Sequence, residues 1–277
     1  MPGSSPPPGR NAVVARLRAA GCVFAEEEAR LLITAARTPG DLAAMVERRA
    51  AGLPLEHIVG WAEFCGLRIA VGPGVFVPRR RTEFLVAQAI ALARQAGPGD
   101  LAGTATPDGP LIIVDLCCGS GAVAAALAAA LHPAEAHAAD IDPAAVAFAR
   151  RNLAAFGGQA HQGDLYAPLP AALHGRVGLL TANVPYIPTD EIALLPAEAR
   201  LHEPRAALDG GGDGLAVLRR VAAGAPEWLA PGGHLLTETS DRQAQQAAGA
   251  FAGCGLDTRV VTSEELSATV IIGRRSR

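Results

Sequence analysis

The alternation of strand-like and helix-like segments after residue 110 most strongly constrains how this chain can fold. An apolar run from Leu111 to Leu116 leads through a Gly-x-Gly turn into an alanine-rich helical pattern that ends near Leu131. Because neighbouring parallel strands need a crossover helix, this alternation favours a doubly wound, mostly parallel sheet. We predict an α/β fold with central strands at 111–116, 136–141, 159–162, 177–182 and 234–239.

The end of this pattern narrows the fold class. Segments 256–262 and 268–273 are strand-like and have no helical pattern between them, so they are predicted to pair as antiparallel strands. A seven-stranded, mostly parallel, Rossmann-like sheet with this ending is typical of class I S-adenosylmethionine-dependent methyltransferases. It distinguishes them from nicotinamide-dependent dehydrogenases.

The chain before this sheet is predicted to have three parts. Residues 1–10 should form a disordered tail, and apolar residues at helical spacing over 11–53 predict three short helices, the last capped by Asp41 and ended by Gly52. Strand-like segments at 57–64 and 67–71 predict a β-hairpin linker over 54–80. The large domain then spans 81–277, beginning with a helix over 82–95 and a loop over 97–110.

Composition excludes several classes of site and partner. The formal net charge of −3 gives no general attraction to nucleic acid or to anionic membranes, and all 24 basic residues are Arg, as expected from GC-rich coding. No stretch resembles a signal peptide or a membrane span. The five cysteines contain no Cys-x-x-Cys pair, which argues against a disulfide framework or a metal site. We expect a cytoplasmic monomer with no membrane partner and no direct nucleic-acid partner.

The Gly-x-Gly turn is the predicted cofactor site, formed by Cys117, Cys118, Gly119, Ser120 and Gly121. Its glycines allow close backbone approach, and free N–H groups of the next helix suit a carboxylate such as that of S-adenosylmethionine. Asp140, at the end of the second strand, can accept hydrogen bonds from a ribose diol, while Asp164 and Leu165 can contact adenine. The alternative interpretation is a tight turn without a ligand, in which Asp115 merely supports the loop.

A second motif, Asn183-Val184-Pro185-Tyr186, follows the buried strand 177–182. An amide nitrogen is a poor nucleophile, but two acceptors that hold its N–H bonds aim its lone pair and stabilise developing charge. The Asn183 side chain and the Val184 carbonyl supply such acceptors, Pro185 stiffens the loop and Tyr186 offers an aromatic face. A simple turn is the alternative interpretation, and His202 and Arg205 are open candidates for the same cleft or for a solvated loop.

These motifs together resemble one family, the protein-(glutamine-N5) methyltransferases of the HemK/PrmC type, which modify the Gln of the Gly-Gly-Gln motif in peptide chain release factors. The similarity also includes segments 54–60, 64–67, 77–83 and 203–211. It implies a helical domain that helps to recognise the release factor, a hairpin linker and a methyltransferase domain. It also implies cofactor contacts by 117–121, Asp140, Asp164, Leu165 and Asn183, and substrate contacts by Asn183 to Tyr186.

Three departures from the family pattern bear on activity. Val184 stands where the family has Pro, Cys117 stands where it has Gly, and Pro78-Arg-Arg-Arg-Thr-Glu83 replaces Pro-Arg-Pro-Glu-Thr-Glu. Two rival functions therefore stay open beside glutamine methylation. One is an adenine-N6 nucleic-acid methyltransferase, which solves the same lone-pair problem, and the other is a non-catalytic cofactor-binding relative.

Overall fold

The computed structural model describes residues 9–95 and 109–276. The predicted N-terminal tail, apart from residues 9 and 10, and the predicted loop over 97–110, apart from residues 109 and 110, lie outside these ranges. Arg10 already belongs to the first helix, so the helical region begins earlier than predicted. Within the described ranges, no helix is both long enough and apolar enough to cross a membrane.

Three helices form the N-terminal part, and their apolar sides share a core that includes Val13, Leu17 and Leu32. They are α1 (Arg10–Ala19), α2 (Ala25–Ala35) and α3 (Pro39–Ala50). The predicted capping of α3 by Asp41 is wrong. The cap is Thr38, whose Oγ1 accepts a hydrogen bond from the Asp41 N–H at 3.1 Å, because Thr38 precedes the helix and Asp41 lies in its first turn. Gly52 follows the helix at φ +95°, as expected of a helix end.

A buried ion pair links this bundle to the rest of the chain. Arg49 on α3 donates to both carboxylate oxygens of Glu28 on α2, at 2.7 and 3.1 Å, and also reaches Glu198 at 3.0 Å. The Arg49 and Glu28 side chains are only 12% and 10% exposed. Two bonds in a fixed fork define the position of α3 against α2.

The hairpin consists of β1 (Trp61–Phe64) and β2 (Leu67–Ala70), paired antiparallel as predicted. The expected strand over 57–60 is instead the short helix α4 (Leu55–Val59), which ends at Gly60 with φ +86°. The helix buries His57 and Ile58, and the His57 ring nitrogen lies 2.9 Å from the buried Val75 carbonyl.

The remaining elements alternate much as predicted. The helices are α5 (Glu83–Gln95), α6 (Ala122–Ala130), α7 (Pro143–Leu153), α8 (Ala197–His202), α9 (Ala216–Trp228) and α10 (Ala244–Gly253). The strands are β3 (Leu111–Leu116), β4 (Ala134–Asp140), β5 (Gln159–Gln162), β6 (Val177–Ala182), β7 (Leu229–Thr239), β8 (Leu256–Ser263) and β9 (Ala268–Arg275). Helices α8 and α10 were not predicted.

The large sheet has seven strands in the order β5-β4-β3-β6-β7-β9-β8. All neighbours are parallel except β9, which runs antiparallel to β7 and β8. This confirms the predicted fold class, including the antiparallel ending. The chain leaves β3 toward β4 on one side and returns on the other side at β6, so connections diverge at the carboxyl ends of β3 and β6, where such sheets bind ligands.

Candidate active site

A cleft of about 770 Å³ opens where β3 and β6 diverge. It contains all but one of the residues predicted to contact cofactor or acceptor: Cys117, Cys118, Gly119, Ser120, Asp140, Asp164, Leu165, Asn183, Val184, Pro185 and Tyr186. The exception is Gly121, which is not among the residues that line the cleft. In the sheet register Leu116 is paired with Ala182, so the cofactor loop and the acceptor motif begin side by side.

The loop after β3 needs left-handed backbone conformations at three positions. Gly119 and Gly121 have φ values of +53° and +76°, and Cys117 has φ +51°. A Cβ on Gly119 would meet no protein atom within 4 Å, so the backbone is open there for a ligand. A Cβ on Gly121 would lie 3.0 Å from the Cα and Cβ of Ala149 on α7. Gly121 therefore allows α6 and α7 to pack closely, and its contact with a cofactor stays a prediction.

The two cysteines of the loop are packing residues in the structure. Cys118 is buried, and burial raises the pKa of both the Cys117 and the Cys118 thiol. Neutral, buried thiols are poor nucleophiles. Their contribution is thus the shape of the loop, and Cys117 achieves with a side chain the conformation that glycine adopts most readily.

Asp140 ends β4 and faces the loop. Its Oδ2 accepts a hydrogen bond from the Gly119 N–H at 2.8 Å, and its Oδ1 accepts one from the Asp142 N–H at 2.9 Å. Burial raises the pKa of this carboxyl group, whereas the backbone N–H groups favour its ionised form. Asp140 also lines the cleft, and its role as an acceptor for a ribose diol stays a prediction.

Two further carboxylates border this part of the cleft. Asp115 is buried within β3, and its Oδ1 accepts from the Thr181 hydroxyl at 2.7 Å while Oδ2 has no hydrogen-bond partner among the described residues. Burial raises the pKa of Asp115 to about 7. Asp164, predicted to face adenine, forms an ion pair with Arg220 on α9 at 2.5 Å. The sequence offered no signal for that partner.

Hydrogen bonds to backbone carbonyl groups hold the acceptor motif and the residue after it in place. The Gln243 side chain donates to the Tyr186 carbonyl and to the Asp213 carbonyl, both at 3.0 Å. Gly210 donates to the Ile187 carbonyl at 2.8 Å, and a Cβ there would lie 2.7 Å from the Pro185 carbonyl. Thus the glycine-rich segment after the motif is a backing surface that permits close backbone contact, a role that the sequence analysis had not assigned.

A buried carboxylate, Glu238 at the end of β7, lies beneath the motif. Its Oε1 accepts from Arg81 Nε at 2.8 Å and from the Tyr186 hydroxyl at 3.2 Å, and its Oε2 accepts from the Thr82 hydroxyl at 2.6 Å. Arg81 also donates to the Tyr186 hydroxyl at 2.6 Å, and Asn183 Nδ2 donates to Thr82 Oγ1 at 3.3 Å. Burial raises the pKa of Tyr186, which keeps its hydroxyl protonated.

Glu238 is not among the residues predicted from the sequence, although a charged residue close to the apolar pair Leu235 and Leu236 is itself a signal of a buried partner. Arg81 enters the sequence pattern only as part of a departure from the family motif. The structure shows that Arg81 is the cation that neutralises Glu238, with the two side chains 43% and 2% exposed.

The residues of segment 202–205, which follows the acceptor motif, differ in whether they line the cleft. Glu203 lines the cleft with a side chain that is 2% exposed, and its Oε1 accepts from Arg79 at 2.5 Å. Burial raises the pKa of Glu203, and the Arg79 guanidinium opposes that rise. Arg205 is 70% exposed and pairs with Asp209, so it is the solvated residue rather than a cleft residue. His202 is likewise outside the lining of the cleft.

The chemistry of these groups fits S-adenosylmethionine. An open glycine backbone beside Gly119, a carboxylate at Asp140 and an apolar side chain at Leu165 match a carboxylate-bearing amino acid, a ribose and an adenine ring. The acceptor motif adjoins this cradle through the paired ends of β3 and β6. The arrangement can hold a planar nitrogen compound next to a bound methyl donor.

Comparison with known proteins finds similar methyltransferases. A family model described as a methyltransferase domain matches residues 113–204. A release factor glutamine methyltransferase of Geobacter sulfurreducens is 39% identical over 78% of this chain and 72% of that protein. One of Mycolicibacterium smegmatis is 39% identical over 87% of this chain and 82% of that protein. A solved methyltransferase from Pyrococcus furiosus shares the fold, with a TM-score of 0.53 and 14% identity over 85% of this chain and 98% of that one.

Proposed function

Because the chain belongs to the release factor glutamine methyltransferase family, we propose that it methylates the side-chain amide nitrogen of a glutamine in the Gly-Gly-Gln motif of a peptide chain release factor. The observation that carries this assignment for the site is the register pair Leu116 and Ala182. This pairing supports the proposal because segment 117–121 and Asn183 follow neighbouring strand ends, so a methyl donor and an acceptor amide bound there would lie side by side.

In one half of the cleft, residues of the loop after β3 and of the ends of β4 and β5 form the proposed cofactor site. S-adenosylmethionine supplies an electrophilic methyl group on its sulfonium sulfur. The backbone at Gly119 and Ser120 would accommodate the carboxylate of its methionine part, and Asp140 would accept hydrogen bonds from the ribose hydroxyls. Leu165 would pack against the adenine, with Asp164 beside its amino group.

In the other half of the cleft, the acceptor motif compensates for the weak nucleophilicity of an amide nitrogen. The glutamine amide nitrogen carries two N–H groups, and the Asn183 carbonyl oxygen and the Val184 backbone carbonyl accept one each. Holding both hydrogens fixes the amide plane and lets developing positive charge on nitrogen be shared with two oxygens. Val184 keeps this acceptor because any residue has the backbone carbonyl, and the backing by Gly210 and Gln243 replaces the stiffness that a proline would add.

The N-terminal helices are assigned to recognition of the protein substrate. Their attachment supports this assignment, because Arg49 on α3 binds Glu198 on α8, and Glu198 lines the cleft. The division into a helical part over 11–53, a hairpin linker over 54–80 and a methyltransferase domain over 81–277 is likewise part of the proposal.

The test is methyl transfer to a defined residue. The purified protein is incubated with methyl-labelled S-adenosylmethionine and a release factor, and the product is mapped by mass spectrometry. We expect one methyl group on the Gln of Gly-Gly-Gln and none on a release factor in which that Gln is replaced by Ala. Label on an adenine-containing oligonucleotide instead would support the nucleic-acid alternative. Cofactor binding with no transfer to either substrate would support a non-catalytic relative.

A further inference from the structure

The buried carboxylate of Glu238 does more than pair with the charge of Arg81, because its hydrogen bonds also connect it to the acceptor motif. It lies at the end of β7, next to β6, and two chains of hydrogen bonds lead from its two oxygens to the first and last residues of the acceptor motif. One chain passes through Thr82 to Asn183. The other ends at the hydroxyl of Tyr186.

We propose that Glu238, acting through Thr82, is a positioning residue that sets which end of the Asn183 amide faces the substrate. The inference rests on the proposed function, since it concerns how the same cleft orients its acceptor. It assigns Thr82 and Glu238 roles that depend on hydrogen-bond direction.

The direction follows from the number of available protons. An ionised carboxylate only accepts, and Arg81 beside Glu238 keeps that carboxylate paired with a cation. The Thr82 hydroxyl has one proton, and the 2.6 Å contact to Glu238 Oε2 uses it. Thr82 Oγ1 can then only accept a further hydrogen bond. The Asn183 group that lies 3.3 Å from it must therefore be a donor, and the only donor on that side chain is Nδ2.

The consequence for Asn183 is a fixed amide orientation. With Nδ2 committed to Thr82, the carbonyl oxygen Oδ1 accepts no hydrogen bond from the described residues, while the residue lines the cleft. The proposed reaction needs an oxygen there, because a substrate amide N–H can be held only by an acceptor. The reversed amide would present two donors to the substrate nitrogen and would repel its N–H groups.

The second chain fixes the other end of the motif from the same carboxylate. The Tyr186 hydroxyl donates to Glu238 Oε1 and accepts from Arg81, so both its lone-pair side and its proton are used. The ring therefore has a defined position relative to Asn183. The Glu238 carboxylate thus holds in position both the hydrogen-bonding side chain of Asn183 and the aromatic ring of Tyr186.

The decisive variant is Thr82→Val, which keeps the shape and removes the hydroxyl. We expect kcat to fall by about 10- to 100-fold, the range typical of a misdirected catalytic hydrogen bond, with the Kd for S-adenosylmethionine unchanged within about threefold. Thr82→Ser restores the hydroxyl and should restore kcat to within about threefold of the unmodified protein. Thr258→Val on β8 makes the same chemical change away from the cleft and should leave kcat unaltered.

A double variant tests whether the two residues form one chain. Adding Glu238→Gln to Thr82→Val should cost less kcat than Glu238→Gln costs alone, because one of the two hydrogen-bond chains from Glu238 is already broken and only the chain to Tyr186 is left to lose. Fully additive losses would contradict the proposal. Thermal unfolding of each variant identifies any loss that arises from misfolding.

The orientation also has a readout without turnover. The side-chain amide signals of Asn183 in 15N–1H NMR spectra, assigned by their absence in Asn183→Ala, should shift in Thr82→Val and stay in place in Thr82→Ser. Unmoved signals in Thr82→Val would overturn the inference. Wild-type kcat in Thr82→Val together with an inactive Asn183→Ala would also overturn it while leaving the proposed function intact. If the unmodified protein transfers no methyl group to glutamine, the proposed function fails, and the NMR signals still test whether the Asn183 amide is hydrogen-bonded to Thr82.

Discussion

The carboxylate of Asp140 accepts a hydrogen bond from the backbone N–H of Gly119 at 2.8 Å, which ties the end of β4 to the cofactor loop after β3. Replacing Asp140 by Ala removes this tie and the proposed acceptor for the ribose. We expect the Kd for S-adenosylmethionine, measured by calorimetry, to rise by about tenfold or more, the usual effect of losing hydrogen bonds to a charged group. Asp213→Ala, outside the cleft, is the control and should leave the Kd unchanged. A Kd within twofold of the unmodified value for Asp140→Ala would remove that residue from the cofactor site.

Asn183→Ala separates chemistry from cofactor binding. The variant lacks the side-chain oxygen that is proposed to hold one N–H of the substrate amide. Single-turnover measurements should show methyl transfer slowed by about a hundredfold or more, while the Kd for S-adenosylmethionine stays nearly unchanged. An unchanged rate would show that another group supplies the acceptor.

Gly121→Ala should destabilise the fold. The position has φ +76°, and the added Cβ would lie 3.0 Å from the Cα of Ala149 on α7, so backbone strain and a clash act together. We expect a loss of about 2 kcal/mol or more in the free energy of unfolding, measured with urea. The matched control is Gly249→Ala on the exposed side of α10, where a Cβ would meet nothing within 4 Å. There the same change should stabilise the protein by about 0.5–1 kcal/mol.

Because Cys117 has a left-handed backbone conformation, we expect glycine to be tolerated better than valine at this position. At φ +51° a β-branched side chain is disfavoured, whereas glycine adopts the conformation freely. Cys117→Val should lower the free energy of unfolding by about 1–2 kcal/mol, and Cys117→Gly should change it by less than about 1 kcal/mol because relieved strain offsets the greater freedom of the unfolded chain. Equal losses in urea for the two variants would show that thiol packing, not backbone conformation, dominates.

Asp115 should make stability depend on pH. Its pKa of about 7 in the folded protein lies above the value of about 3.9 for an unfolded chain, so between these pH values the folded state binds more protons. Stability from this group is therefore present at acidic pH and is lost as the pH rises through about 7. We expect the difference in unfolding free energy between pH 5 and pH 8.5 to be smaller in Asp115→Asn. An identical difference in both proteins would exclude Asp115 as its source.

The strands and the cleft could be predicted because their signals are local. The segments 111–116 and 177–182 have the structural boundaries that their apolar runs predicted, and the predicted strand 159–162 also has the boundaries of β5. Strand ends of a parallel sheet meet at one edge, so the motifs after β3, β4 and β6 had to converge. The family resemblance then supplied the chemistry that the residues alone left open.

The missed features depend on contacts between distant parts of the chain. Thr82 precedes Glu238 by more than half the length of the chain, and no local pattern shows that they share a hydrogen bond. The pairing of Asp164 with Arg220 is of the same kind. The helix α4 was mistaken for strand because its five residues are too few to establish a helical period.

Three buried glutamates of this protein, Glu28, Glu203 and Glu238, each face an arginine, and the sequence contains no lysine. A lysine in such a pair can lose its charge to an acetyl group, and many cellular switches work in this way. A guanidinium group offers no such target and keeps its proton at any physiological pH. The charges that fix the helical bundle and the acceptor site are thus closed to control by lysine acetylation.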